Sequence, residues 1–164
     1  MSILYRSKRI GKNGKEFTMY KLRTLKEGVD KTNSFASVEQ YTRLGWIMRK
    51  TKFDELPQIW NLIKRDINVV GPRPEEAKTI DVIPEETKRL LLSVRPGLTS
   101  LSSIHFFEEG QILENAKDPY KIYWTTIKPL KITLDVFYIQ NRDTLLDIWI
   151  VFKTFILVIK SLLK

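Results

Sequence analysis

Two adjacent carboxylates, Asp54 and Glu55, lie in the stretch RKTKFDELPQIWNLIKRDINVVGPRP, which runs from Arg49 to Pro74. Arg49 and Lys50 precede the pair, and Gly71-Pro72-Arg73-Pro74 closes the stretch with a proline on each side of one arginine. Guanidinium presents a fork of donors that matches phosphate oxygens, and the flanking prolines fix its backbone. The chemistry this combination suits is the handling of an anion, with acids facing a basic wall.

The elements that must position these groups follow from local physics. Asp54 is a good N-cap and Pro57 is tolerated in a first turn, so the spacing predicts a helix from about Glu55 to Lys64. Leu56, Ile59, Trp60 and Ile63 share one face of it, which predicts a buried apolar side and acids at the exposed end. A helix N-terminus carries roughly half a positive charge, which favours an ionised Asp54 and can receive a phosphate. Taken alone, an Asp-Glu pair before a helix is more often only a cap, and Pro-Arg-Pro is equally an ordinary turn.

Composition narrows the classes. The chain has 164 residues, which predicts one domain, and 28 basic against 19 acidic residues give a net charge of +9. Anionic partners follow: nucleic acid, anionic lipid or phosphorylated substrates. With no cysteine there is no disulfide, thiolate metal site or cysteine nucleophile. The single histidine, His105, stands among Ile104, Phe106 and Phe107 and reads as structural; no third member supports a Ser-His-Asp set, and zinc would have only carboxylates left. No glycine-rich nucleotide motif is present. The N-terminus lacks the apolar segment of a signal peptide, and no apolar run approaches the roughly 20 residues of a spanning helix.

Residues 3–10 and 16–25 read as two strands around Gly11-Lys12-Asn13-Gly14, a hairpin signal. Residues 1–26 carry eight Lys or Arg against one acid, Glu16. Lys8, Arg9, Lys12 and Lys15 read as a solvated basic face, whereas Lys21 and Arg23 alternate with Phe17 and Met19 on the other. Residues 26–38 are polar and aperiodic, which predicts a loop. A helix over 39–49 carries Tyr41, Leu44, Ile47 and Met48 and ends at Arg49. Pro84 with Glu85 and Glu86 starts another helix, which buries Leu91 and stops at Arg95-Pro96-Gly97. Residues 106–118 form an acidic surface segment. A helix from Pro119 is expected to break at Pro129, and a second to carry Leu134, Phe137 and Tyr138.

The last stretch, LLDIWIVFKTFILVIKSLLK from Leu145 to Lys164, places Lys153, Lys160 and Lys164 within roughly 40° on a helix, with an apolar remainder wider than soluble helices usually show. Such a helix suits a membrane interface or a wide apolar groove, and the pattern does not choose between them.

Four runs in order, FTMYKLRT at 17–24, the 49–74 stretch, RPGLTSL at 95–101 and LDVFYIQNRDTLLDIWIVFKT at 134–154, resemble the bacterial sugar transferases, monotopic phosphoglycosyl transferases that begin glycan assembly on a polyprenyl phosphate. The resemblance covers nearly the whole chain. It implies that Asp54 attacks the sugar-bearing phosphorus of a UDP-sugar and that Glu55 binds Mg2+. It further implies that Lys21, Arg23, Arg49, Arg73 and Arg95 hold the phosphates, that Pro57, Pro72 and Pro74 shape the site, and that the C-terminal helix meets an anionic membrane surface on its cytoplasmic side. The expected fold is α+β: a single helix-dominated domain over 1–164, with a basic hairpin at 1–25, the core motif at 49–74 and an amphipathic interface helix at 145–164.

The family usually begins with a long apolar re-entrant helix ahead of the hairpin, and this chain starts at about the hairpin, which predicts a truncated or naturally short form. Lys64-Arg65-Asp66 replaces the family's common Lys-Gly-Asp, which predicts a different turn. Two rival functions explain parts of the sequence. A nucleic-acid-binding module would account for the charge but not for the acid pair or the apolar helix; an inactive membrane-surface relative would account for the short N-terminus.

Overall fold

Basic and apolar residues alternate on either side of the Gly11 to Gly14 turn, and that alternation folds as an antiparallel hairpin: β1 (Leu4–Ile10) pairs with β2 (Glu16–Leu22), Leu4 opposite Leu22 and Ile10 opposite Glu16. Asn13 (φ 57°) and Gly14 (φ 75°) both take left-handed conformations in the turn, which is why Asn-Gly marks it. The structure is a computed structural model and describes residues 3–26, 28 and 40–163. Most of the loop expected at 26–38, and the start of the helix expected at 39, lie outside the described residues.

Beyond the hairpin the fold is mainly helical: α1 (Arg43–Lys50), a 3-10 turn (Phe53–Gln58), α2 (Ile59–Ile63), α3 (Ala77–Ile80), α4 (Glu85–Leu92), α5 (Leu101–His105), α6 (Glu109–Glu114), α7 (Pro119–Ile122), α8 (Lys128–Asn141) and α9 (Thr144–Leu162). Two three-residue strands, β3 (Asn68–Val70) and β4 (Gly97–Thr99), pair in parallel. The α+β class stands as expected from the sequence. The parallel pair does not follow from it, and it gives Gly97 a role other than helix stop. A Cβ on Gly97 would lie 2.2 Å from the Gly71 nitrogen, and one on Gly71 would lie 2.6 Å from the Arg95 carbonyl oxygen. Two glycines are needed because the two backbones approach too closely for side chains.

The core has two parts. The larger joins Val70, Ile80, Ile83, Leu91, Val94, Tyr138, Ile139 and Ile150, so α4, α8 and α9 close around the parallel pair. The smaller joins Phe17, Met19 and Ile67 under the hairpin. Lys21 continues the inward alternation of Phe17 and Met19.

The segment after Asp54 is oriented opposite to expectation. Leu56 (53% exposed), Ile59 (51%), Trp60 (62%) and Ile63 (64%) face outward, while Asp54, Gln58 and Asn61 are buried. Asn61 explains the inversion: its Nδ2 donates to the Thr18 carbonyl at 2.7 Å and to Asp66 Oδ2 at 3.0 Å, and its Oδ1 accepts from the Tyr20 N–H at 3.3 Å. These bonds satisfy β2 main-chain groups that burial would otherwise leave unpaired. The backbone is also a 3-10 turn followed by a short α-helix rather than one helix capped by Asp54.

Pro129 does not break the chain. The helical run continues from Pro119 to Asn141, and the π-helical turn at Tyr123–Ile127, just ahead of Pro129, is the local irregularity that accompanies the missing N–H. Arg65, at the turn where the sequence departs from Lys-Gly-Asp, has φ 60°, so the chain keeps a glycine-like backbone with an arginine in place. Arg9 is not solvated as expected: it pairs with Glu76 at 3.2 Å and is mostly buried.

α9 is capped by Asp143, whose carboxylate accepts from the Leu146 N–H at 2.7 Å. One face buries Ile150, and Thr154 Oγ1 meets Thr99 Oγ1 at 2.7 Å. The opposite arc, with Leu145, Ile148, Phe152, Phe155 and Leu162, is apolar and exposed. Among the described residues no helix is long and apolar enough to cross a membrane.

Candidate active site

The route into the acid pair is a sharp reversal. Thr51 caps α1 by donating from Oγ1 to the Ile47 carbonyl at 2.8 Å, and Lys52 then takes a left-handed backbone (φ 61°, ψ 13°). The 3-10 turn starts at once, with the Glu55 N–H donating to the Lys52 carbonyl at 3.1 Å. Asp54 and Glu55 thus stand in the first turn, packed against β2, with Pro57 further along the same turn.

Glu55 is an anchor for cations. Its Oε1 lies 2.7 Å from Lys21 Nζ and 3.8 Å from the Arg73 guanidinium. Burial pushes its carboxyl up, but the Lys21 ammonium and the Arg73 guanidinium outweigh that and hold it down at about 2. Asp54 is the less paired acid. Only 4% exposed, it keeps Oδ1 buried with no hydrogen-bond partner. Burial raises its carboxyl above the ordinary value; Lys21 opposes this, Glu55 adds to it, and Arg49 and Lys52 oppose it further.

Arg73 is held at its main chain as well as at its guanidinium. Its N–H donates to Asp135 Oδ2 at 3.1 Å, while the buried Pro72 accepts from the Gly97 N–H at 2.9 Å through its carbonyl. Pro74 is buried, and Glu75 beyond it accepts from the Ile10 N–H at 2.9 Å and pairs with Lys128. The Pro-Arg-Pro corner is thereby fixed from β1, β4 and α8 together. A cavity of about 20 Å³ beside Pro72, Arg73 and Asp135 has room for one water.

Four cations therefore act on the acid pair: Lys21, Arg49, Lys52 and Arg73. Lys21, Arg49 and Arg73 were expected from the sequence. Lys52 was not singled out, and neither were Asn61 and Asp135, which position the turn and the Arg73 loop. Arg23 follows directly on β2, and its main-chain N–H donates to the Ile3 carbonyl at 2.8 Å. Arg95 is elsewhere. It lines an open cleft of about 290 Å³ with Arg142, Asp143 and Asp147, and neither acid of the pair lines that cleft.

Among the described residues no group of three or more His, Cys, Asp or Glu could hold a metal unaided. The donors present still fit a Mg2+ ion, which commonly takes one or two carboxylates and completes its shell with water and substrate phosphate. Asp54 Oδ1 is an unpartnered buried oxygen, and Glu55 has its second oxygen beyond the one that Lys21 and Arg73 share.

A family model described as bacterial sugar transferase matches residues 1–161. A UDP-N-acetylgalactosamine-undecaprenyl-phosphate N-acetylgalactosaminephosphotransferase of Aeromonas hydrophila is 30% identical over 93% of this chain and 34% of its own length. A UDP-glucose:undecaprenyl-phosphate glucose-1-phosphate transferase of Caulobacter vibrioides is 32% identical over 92% of this chain and 54% of its own. The exopolysaccharide production protein ExoY of Sinorhizobium fredii is 32% identical over 93% of this chain and 68% of its own. The chain thus spans about a third to about two thirds of the length of these relatives.

Proposed function

The chain belongs to the bacterial sugar transferase family, and from that premise we propose that it transfers a phospho-sugar from a UDP-sugar to a polyprenyl phosphate through Asp54. The observation that carries this reading is the Asp54–Glu55 pair inside a wall of four cations, with one Asp54 oxygen buried and unpartnered. Two of the relatives are named for transfer of a sugar phosphate from a UDP-sugar to undecaprenyl phosphate.

The Asp54 carboxylate attacks the sugar-bearing phosphorus, the bond from that phosphorus to the UMP oxygen breaks, and UMP leaves with the bonding pair. The acceptor's phosphate oxygen then attacks the same phosphorus and displaces the Asp54 carboxylate, giving polyprenyl-diphosphate-sugar. Lys21, Arg49 and Arg73 hold the phosphates and offset the charge that develops on their oxygens. Glu55 keeps Lys21 and Arg73 in place. A bound Mg2+ would be held by Asp54 and Glu55 and would polarise the phosphate oxygens as a Lewis acid. The exposed apolar arc of α9, flanked by Lys153 and Lys160, suits the lipid acceptor: the chain lies on the cytoplasmic face of the membrane with that arc at the acyl boundary.

The test is UMP release from a panel of UDP-sugars, with Mg2+ and a polyprenyl phosphate in detergent, for the wild type and Asp54→Asn. Release is expected from the wild type and not from the variant. A fully active Asp54→Asn would sink the proposal.

A further inference from the structure

We propose that Lys52 is a substrate contact that the motif does not announce: its ammonium leaves the ring of Phe107 and binds the diphosphate oxygens when the nucleotide-sugar arrives. This inference rests on the phosphoglycosyl transfer reading of the same site and adds a residue to it.

Lys52 is held in an uncommon backbone. Its φ of 61° brings a lysine Cβ into a conformation that glycine adopts freely, and two bonds keep it there: its own N–H donates to the Arg49 carbonyl at 3.3 Å, and its carbonyl accepts from Glu55 at 3.1 Å. Strained backbone of this kind persists where the surroundings fix it, and it concentrates at functional sites. The conformation sets the side chain beside the acid pair. Burial lowers its ammonium pKa, Glu55 raises it, Arg73 and Arg49 lower it and Asp54 raises it, so both acids and two of the other cations act on Lys52.

Two of the other cations are held by a carboxylate, and the third rests, like Lys52, on a ring face. Lys21 and Arg73 share Glu55, and the Arg49 guanidinium sits 5.4 Å over the Tyr41 ring. Lys52 makes no ion pair among the described residues; its Nζ lies 5.2 Å over the ring of Phe107. A ring face holds an ammonium less firmly than phosphate oxygens do, and a four-carbon stem can swing from one to the other. Charge agrees: four cations against two acids leave two positive charges, the number that the diphosphate of a UDP-sugar cancels. Without Lys52 one phosphate charge would enter this half-buried site unmatched, which is costly.

The experiment titrates the folded chain with inorganic pyrophosphate by calorimetry and measures UMP release in parallel. Lys52→Met keeps the stem and removes the charge; Lys52→Gly fits the left-handed backbone; Lys52→Arg keeps the charge. Pyrophosphate affinity is expected to fall about tenfold in Met and Gly and to be largely restored in Arg, the change expected for one charge-assisted hydrogen bond. The KM for the UDP-sugar should rise by a similar factor with kcat little changed. Equal pyrophosphate affinity in the wild type, Met and Gly would overturn the proposal. Affinity that falls in Met and Gly while even the wild type releases no UMP would uphold the anion contact and overturn the transfer reading instead.

Discussion

The main-chain N–H of Arg73 donates to Asp135 Oδ2 at 3.1 Å, while the guanidinium of the same residue lies 3.8 Å from Glu55. Arg73 is therefore a bridge. A buried carboxylate on α8 fixes the backbone from which the site's guanidinium extends, and Oδ1 of that carboxylate is buried without a partner.

Asp135 makes stability depend on pH. Burial pushes its carboxyl up to about 6; the Ser102 hydroxyl and the Arg73 N–H pull it down, Glu75 pushes it up and Lys128 pulls it down. In the unfolded chain an aspartate titrates near 4. The folded state binds this proton more tightly, so its stabilising contribution is complete below about pH 4 and is lost as pH rises through about 6. The gap corresponds to about 3 kcal/mol. In Asp135→Asn an amide oxygen still accepts from Arg73 and nothing ionises, so the dependence between pH 4 and 7 should flatten by about that amount. Urea unfolding across the range measures it, and parallel curves for wild type and variant would refute the assignment.

Arg65 offers a test on backbone alone. It is exposed and holds φ 60° at the turn after α2. Replacing it with glycine relieves the Cβ conflict, and Arg65→Gly should gain about 1 kcal/mol, less what glycine adds to unfolded-chain entropy. In a chain of this size that is roughly 2–4 °C in Tm. Thermal unfolding at one fixed pH decides it, and an unchanged or lowered Tm would show that the arginine makes a compensating contact.

What the sequence made legible was local: the hairpin from Asn13-Gly14, the acid pair, and the Pro-Arg-Pro corner. The direction of the Phe53–Ile63 segment was not read, although a signal existed. Asp54, Gln58 and Asn61 are spaced i, i+4, i+7, a helical stripe on the face opposite the apolar residues, and hydrophobicity alone chose the wrong stripe to bury. What decided it was Asn61 bonding to Thr18 and Tyr20, 43 and 41 residues away. β3 and β4 are too short to show a period, and their pairing depends on two glycines 26 positions apart that only the fold brings together. Arg95, singled out because its motif resembles the family's, lines a cleft with Arg142, a neighbour 47 positions away that the sequence did not pair with it.

The outward arc of α9 yields a prediction about membranes. Val151 (42% exposed), Phe155 (61%), Ile148 (61%), Phe152 (59%) and Trp149 (44%) span an arc of about 160° opposite Ile150, with Lys160 and Lys153 beside Trp149 on its border. A helix with this division inserts its apolar side at the acyl boundary and places its lysines against lipid phosphates. Co-sedimentation with phosphatidylglycerol vesicles should therefore pull down the wild type. Phe152→Glu with Phe155→Glu removes two aromatic anchors worth roughly 1.5–3 kcal/mol each, so binding should weaken more than about a hundredfold. Lys153→Ala with Lys160→Ala should weaken it less, by about 1 kcal/mol per lysine, and added salt should abolish that difference. A wild type that stays in the supernatant, or a Glu variant that binds equally well, would mean that this arc meets a protein surface instead of lipid.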